Sequence, residues 1–413
     1  MTAEIAILNR SGVALAADSA VSVGLNKVFN SADKLFSLSS QHSVGIMIYG
    51  NANFMNVPWE TVVSLYRQKL SEEPLESLEQ YCQSFIGYLK EEKRFTSRES
   101  EKNQIGLIFS NWLENFLKEL NQYIPTHFQH QPTEQEIQEV MTTSLREVFV
   151  DFNQRDYSEE FDKEFYEWFF DEYGDYIIEI FESNVNFELT EEITENMLLI
   201  AASLICRDVD NELESGIVFA GYGDNDIYPS LIGYRVGGIF TQLLKIRQSE
   251  ESIIDDSQSA EIVPFAQQEM VHSFLSGIDP NIYNEINVFL DNTMNSIPEF
   301  VRSSGIEFDS EGEDKLRLLG DEIIRVFNDE LKKIQVKRYV NPVIHTVASF
   351  PKEELSSMAE ALVNLTSIKR KVTNQKETVG GPIDVAVISK SDGFIWVKRK
   401  QYYQYDLNHE SRR

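Results

Sequence analysis

Three observations predict an α+β fold for this chain. Short apolar runs bounded by turn residues open and close the sequence, long stretches of helical apolar period fill its middle, and the strand-forming runs come in pairs across tight turns. Residues 3–9 and 12–18 gather apolar side chains on either side of Ser11-Gly12 and read as a β-hairpin. Residues 34–38 and 43–49 read as a second strand pair. Its second member is nearly continuously apolar, as expected of a strand covered on both faces, and ends at Gly50. Residues 51–70 carry helical character, with Pro58 tolerable near the first turns. From about residue 78 to 206 helical periods dominate, as in 105–120 and 134–150. Residues 216–222 and 230–236 flank a polar turn and form a third hairpin. Helical readings follow for 264–276 after Pro264, for parts of 281–336 (notably 312–333) and for 352–370. A last hairpin joins 383–388 to 394–397 around Asp392-Gly393.

Composition narrows the function. Of 413 residues, 42% are apolar, enough for a sizeable core, and the net charge of −30 argues against nonspecific nucleic-acid binding. Residues 151–200 hold sixteen acidic residues against two basic ones, Arg155 and Lys163. They also hold Phe152, Phe161, Phe165, Trp168, Phe169, Phe170 and Tyr173, which read as the apolar face of helices charged on the other side. Cys82 and Cys206 make neither a disulfide framework nor a metal-ligand spacing, which fits a reducing compartment. No apolar run reaches the length of a membrane span and no signal peptide is evident, so a cytoplasmic protein without a membrane partner is expected. The six histidines are scattered, and neither a metal nor a cofactor is called for. Lys369-Arg370-Lys371 reads as a solvated helix end, and Gly380-Gly381 as a tight turn rather than a phosphate loop, because no Lys-Ser/Thr follows.

Candidate chemistry concentrates in the first thirty-four residues, where Thr2, Asp18 and Lys34 stand sixteen residues apart. A threonine hydroxyl is a poor nucleophile unless a base takes its proton. A terminal amine on the same residue, titrating at roughly pH 7.7–8, can be that base once Met1 is removed.

The stretches Thr2-Ala3-Glu4-Ile5-Ala6-Ile7, Gly12-Val13-Ala14-Leu15-Ala16-Ala17-Asp18-Ser19 and Lys34-Leu35-Phe36-Ser37-Leu38 resemble the amino terminus of proteasome β subunits and of related bacterial peptidase subunits, which are N-terminal nucleophile (Ntn) hydrolases. In that family a terminal Thr attacks the carbonyl, an Asp follows the second strand and a Lys opens the next; the spacing here agrees without a gap. Residues 216–236 resemble the family's middle hairpin, and Val379-Gly380-Gly381-Pro382-Ile383-Asp384 its last helix-to-strand junction.

The resemblance implies a four-layer αββα Ntn-hydrolase sandwich, two antiparallel sheets between helix layers. Segments 1–94, 211–276 and 351–404 would form the core, 95–210 an acidic helical insertion, and 277–350 a second helical insertion. It implies a threonine-type peptidase or amide hydrolase acting through an acyl–Thr2 ester. Asp18 would hold Lys34, whose positive field would favour the Thr2 alkoxide, and a main-chain N–H at the Tyr49-Gly50 turn would serve the oxyanion. Ser22 would face the substrate chain, and Ser19 or Asn51 would support the amine. The sequence departs from the family at the helper Asp and Ser, where Lys376 and Val379 stand, and near Phe265-Ala266, where no hydroxyl stands. The implied partners are a peptide or protein substrate and a homo-oligomer, ring or stacked, with any ATPase partner unknown. Two competing readings are a catalytically inactive scaffold or binding protein with the same fold, and a small-amide Ntn amidohydrolase whose insertions close the groove.

Overall fold

The computed structural model describes residues 3–23, 27–39, 41–128, 130–373 and 380–401. The strands and helices, in chain order, are β1 Ala3–Asn9, β2 Gly12–Asp18, β3 Val21–Val23, β4 Lys27–Phe29, β5 Leu35–Ser37, β6 Val44–Gly50, β7 Asn53–Phe54, β8 Val57–Pro58, α1 Trp59–Lys69, α2 Leu78–Glu91, α3 Arg98–His127, α4 Glu134–Asn153, α5 Glu164–Glu182, α6 Glu191–Cys206, β9 Ser215–Gly221, β10 Ser230–Phe240, β11 Leu243–Ile253, β12 Ala260–Ala266, α7 Glu269–Ser276, α8 Pro280–Ser303, α9 Ser310–Gln335, α10 Asn341–Val347, α11 Lys352–Val372, β13 Ile383–Ser389 and β14 Gly393–Lys398. The fold is α+β, with two five-stranded antiparallel sheets in the orders β12-β1-β2-β13-β14 and β11-β10-β9-β6-β5. The chain divides into two compact units: residues 1–35, 227–229 and 253–413, and residues 36–226 and 230–252.

The first unit is built on the sheet β12-β1-β2-β13-β14. Arg10 and Ser11 form the two-residue turn of the β1–β2 hairpin, with Asn9 paired to Gly12. Buried Asn9 fixes that turn. Its Oδ1 accepts from the Ser11 N–H at 2.8 Å, and its Nδ2 donates to the carbonyls of Val347 and Phe350 at 2.8 and 2.9 Å. On one face of the sheet Ile5, Ile7, Ala14, Ala16, Val385 and Val387 pack against Leu355, Ala359, Leu362 and Val363 of α11. The alanines of β2 leave room for the helix to approach closely.

Pro264 begins no helix. It lies within β12, paired with Ile5, and β12 is the edge strand, where a residue lacking an N–H is tolerated; only 269–276 of the expected 264–276 is helical. The run Lys369-Arg370-Lys371 also differs from expectation. The helical period turns Arg370 onto the buried face, where it donates to Gln267, and Lys369 bonds Asp279 at 2.8 Å.

In the second unit α1 and α2 cover the sheet through Trp59, Val62, Tyr66, Phe85 and Leu89. Residues 51–58, expected as helix, instead make the small hairpin β7–β8, because Met55 and Asn56 sit at φ 48° and 69°, outside the helical region. The same backbone device, Thr241 and Gln242 at φ 48° and 71°, turns β10 into β11. Helices α3–α6 surround a core of their own that includes Phe109, Phe116, Leu145, Phe165, Phe169 and Ile177, so the aromatics expected on the inner face of the acidic segment are there. Ser97, Thr133 and Thr190 cap α3, α4 and α6. Arg207 closes this helical set, donating to the hydroxyls of Tyr166 and Tyr157 and to the Asn153 and Arg155 carbonyls.

Phe169 is fully buried among these helices. Phe169→Ala should therefore destabilise the second unit by about 3–5 kcal/mol, read as a lowered urea midpoint; an unchanged midpoint would show that the helical set does not unfold with a packed core.

Candidate active site

The end of β2, the segment leading to β5 and the turn before β13 converge on Asp18, which is 1% exposed. Its Oδ1 accepts from the Lys34 ammonium at 2.6 Å and from the Ala3 N–H at 3.2 Å, and its Oδ2 accepts from the Gly380 N–H at 2.8 Å. Burying a carboxylate is costly unless it is paired and hydrogen-bonded, and here both oxygens are engaged. Lys34 is also buried and meets a second acid, Glu4, at 3.7 Å. One ammonium thus meets two carboxylates, one of which also accepts the N–H of Ala3.

Surrounding contacts hold this cluster in place. The Ser19 hydroxyl donates to the Pro382 carbonyl at 2.7 Å, and the Ala32 N–H donates to the Ser19 carbonyl at 3.1 Å. Gly381 sits at φ 79°, and a Cβ there would fall 2.7 Å from the Asn30 Cβ, so the turn that aims the Gly380 N–H at Asp18 needs glycine. Lys400 bridges Asp384, at 2.5 Å, and Asp33, at 2.8 Å, tying the residue before Lys34 to β13.

The other residues singled out in the sequence fall as follows. Thr2, Lys376 and Val379 lie outside the described residues, and for Ser22 only its backbone, paired with Val28, is described. Ser19 is spent on Pro382. Tyr49 and Gly50 belong to the second unit, at the end of β6, where the Tyr49 ring lies over Gly216 so closely that a Cβ there would collide with it. Gly50 is at φ 78° and pairs with Ser215. Asn51 serves that turn, accepting from the Asn53 N–H and donating to the Leu213 carbonyl. Phe265 is buried in β12, and Ala266, at φ 58°, pairs with Ala3.

Sequence reasoning missed Glu4, the Gly380 N–H and the Asp33–Lys400–Asp384 bridge. A signal existed for two of these residues, since Glu4 and Asp384 are acidic residues inside otherwise apolar strands. Neither cysteine is a competing nucleophile. Burial pushes the Cys206 thiol up to about 11 and raises the Cys82 thiol further. Buried His42 is occupied by the Tyr81 hydroxyl at 2.7 Å and the Ser71 carbonyl at 3.0 Å. Among the described residues no group of three His, Cys, Asp or Glu side chains could hold a metal, and no helix is long and apolar enough to cross a membrane.

No family model and no curated protein matches this chain. Among solved structures, an Anbu (Gly-1) mutant from Hyphomicrobium sp. strain MC1 is similar at 9% identity and a TM-score of 0.31, covering 99% of this chain and 92% of that one. Anbu (ancestral beta-subunit) from Yersinia bercovieri is similar at 10% identity and a TM-score of 0.30, covering 97% and 89%. At such scores neither likeness bears on chemistry. The resemblance to the proteasome β-subunit-like Ntn hydrolase family is corrected accordingly. These comparisons do not place the chain in that family. The physical reason is that the first thirty-four residues encode a hairpin and an ion pair, local features that a chain with a different remainder can carry.

Removing the ammonium should cost more than removing either acid's charge. Lys34→Met leaves Asp18 and Glu4 buried without their cation and should destabilise by about 3–5 kcal/mol. Glu4→Gln keeps the 2.6 Å Asp18–Lys34 bond and should cost less, both read from thermal unfolding; equal losses would contradict the assignment of Lys34 as the shared cation. Cys82 and Cys206 should both resist iodoacetamide at pH 8 in the folded protein and react after denaturation, as counted by mass spectrometry.

Proposed function

We propose that this chain is an amide hydrolase whose nucleophile is the hydroxyl of Thr2, acting with the α-amine of the same residue. The carrying observation is that one carboxylate oxygen of Asp18 accepts both the Lys34 ammonium and the N–H of Ala3, the residue bonded to Thr2. This joins the beginning of β1 to a buried positive charge. Each unit contains a five-stranded antiparallel sheet packed on helices of its own.

In this reading the Thr2 amine takes the hydroxyl proton as the oxygen attacks a substrate carbonyl. Lys34 favours the developing alkoxide by its charge, and Asp18 positions Lys34 and the Ala3 peptide. The scissile C–N bond breaks as the amine returns the proton to the leaving nitrogen. The acyl–Thr2 ester is then hydrolysed by water, which restores the hydroxyl and releases the acid. Removal of Met1 is part of the proposal, because the base is a free α-amine. The oxyanion donor expected at Tyr49-Gly50 stands on the second unit and enters no step here.

Intact-mass measurement of the purified chain should show loss of Met1, and a peptidyl β-lactone should form an adduct that maps to Thr2. Thr2→Ala should abolish the adduct and lower turnover about 10³-fold or more. A panel of unfolded polypeptide, short peptides and small amides sorts the substrate class. A chain that starts at Thr2, takes no label and turns over none of the panel sinks the proposal in favour of a binding protein.

A further inference from the structure

The helices α8 and α9 form an antiparallel hairpin that is left without a partner along most of its length. Tyr283 donates to Asn328 at 3.0 Å, Gly320 packs on Met294, and Arg302 pairs with Glu313, so the two helices run side by side in opposite directions. Across their 24 and 26 residues only Pro298 and Gly320 are buried. A two-helix hairpin has no second layer in which to bury an apolar stripe, and helices draw most of their stability from such burial.

Exposed apolar residues on the hairpin are ordered. On α8, Ile282, Phe289 and Phe300 follow at intervals of seven and eleven residues, which at 3.6 residues per turn places them within about 20° of one direction; Phe289 and Phe300 are 68% and 73% exposed. On α9, Leu319, Ile323 and Val326 share one stripe at the i, i+4, i+7 spacing and are 55%, 43% and 49% exposed. Each stripe lies about a third of a turn behind the residues that meet the neighbouring helix. Because the helices are antiparallel, the same sense of rotation on both puts the two stripes on one side of the hairpin. The result is a continuous apolar face.

We propose that this face docks on the same face of a second copy of this chain, the two hairpins lying antiparallel to make a four-helix bundle about a two-fold axis. Charge selects this occupant. Between residues 299 and 317, around the tip, acidic residues outnumber basic ones six to three; between 329 and 338, at the base, basic outnumber acidic four to two. Antiparallel pairing sets the acidic tip of each copy on the basic base of the other. In a chain of net charge −30, where copies otherwise repel, this segment offers complementarity to itself. Two helices about 36–39 Å long and about 10 Å wide each present roughly 700–800 Å², close to the ~800 Å² per partner of a stable interface.

Sedimentation velocity on the full-length chain at micromolar concentration tests this. The wild type should sediment as a species containing two copies joined through the hairpin. The variant Phe289→Glu/Phe300→Glu should halve that mass and raise the dissociation constant ~100-fold or more, with an unchanged far-UV circular dichroism spectrum. A tip variant (Glu311→Lys/Asp314→Lys) and a base variant (Lys332→Glu/Lys333→Glu) should each weaken association alone and recover it when mixed, since each then meets its opposite. A monomeric wild type, a mass unchanged by Phe289→Glu/Phe300→Glu, failure of the mixed charge variants to recover, or capture of the monomer by anionic lipid vesicles through this face would overturn the proposal.

Discussion

A single buried carboxylate organises the beginning of this protein. Asp18 accepts from Lys34, from the Ala3 N–H and from the Gly380 N–H, so one side chain ties together two strands, the entry to a third and a turn from the far end of the chain. In the low dielectric of the interior these bonds are strong, and leaving any one donor unanswered would be costly. The neighbouring details serve the same constraint. Gly381 permits the turn that presents an amide to Asp18, Ser19 ties that turn to the end of β2, and Lys400 pins Asp33 beside Lys34. A second acid, Glu4, reaches the same ammonium. Such a buried group is tolerated only where partners of opposite charge and hydrogen bonds answer it, as they do here.

The long helices show what happens when amphipathic segments do or do not find each other. Helices α3–α6 turn their aromatic faces inward around Phe165, Phe169 and Ile177 and leave their acidic residues to water. That explains how a stretch so rich in Asp and Glu folds: the charge occupies one side of each helix, and repulsion acts across solvent rather than through a core. The pair α8–α9 has the same amphipathic period but is uncovered along most of its length, so its second apolar stripe faces outward.

Strand pairs were legible wherever an apolar run met a turn signal, as at Ser11-Gly12 and Asp392-Gly393, because register in a short hairpin is a local matter. The readings that failed did so for non-local or conformational reasons. Pro264 looks like a helix start until the sheet order makes β12 an edge, and 51–58 looks helical until Met55 and Asn56 adopt positive φ. The meeting of Asp18 with Lys34 was expected from their sixteen-residue spacing and the motif that carries the resemblance. The step from that pair to a family was not secure, because a short motif constrains a hairpin and says little about the helices that fill the rest of the chain.

By itself the sequence determined the alternation of strand pairs and helices and the amphipathic character of the acidic segment, since both rest on neighbours within a turn or a hairpin. Tertiary structure alone decided what completes the site. Gly380 meets Asp18 across 362 residues, and the three antiparallel pairings β12–β1, β1–β2 and β2–β13 bring the partners of Glu4 and Asp18 to one end of a sheet. Contacts of that separation follow from how whole faces are buried against each other, which no local pattern of residues encodes.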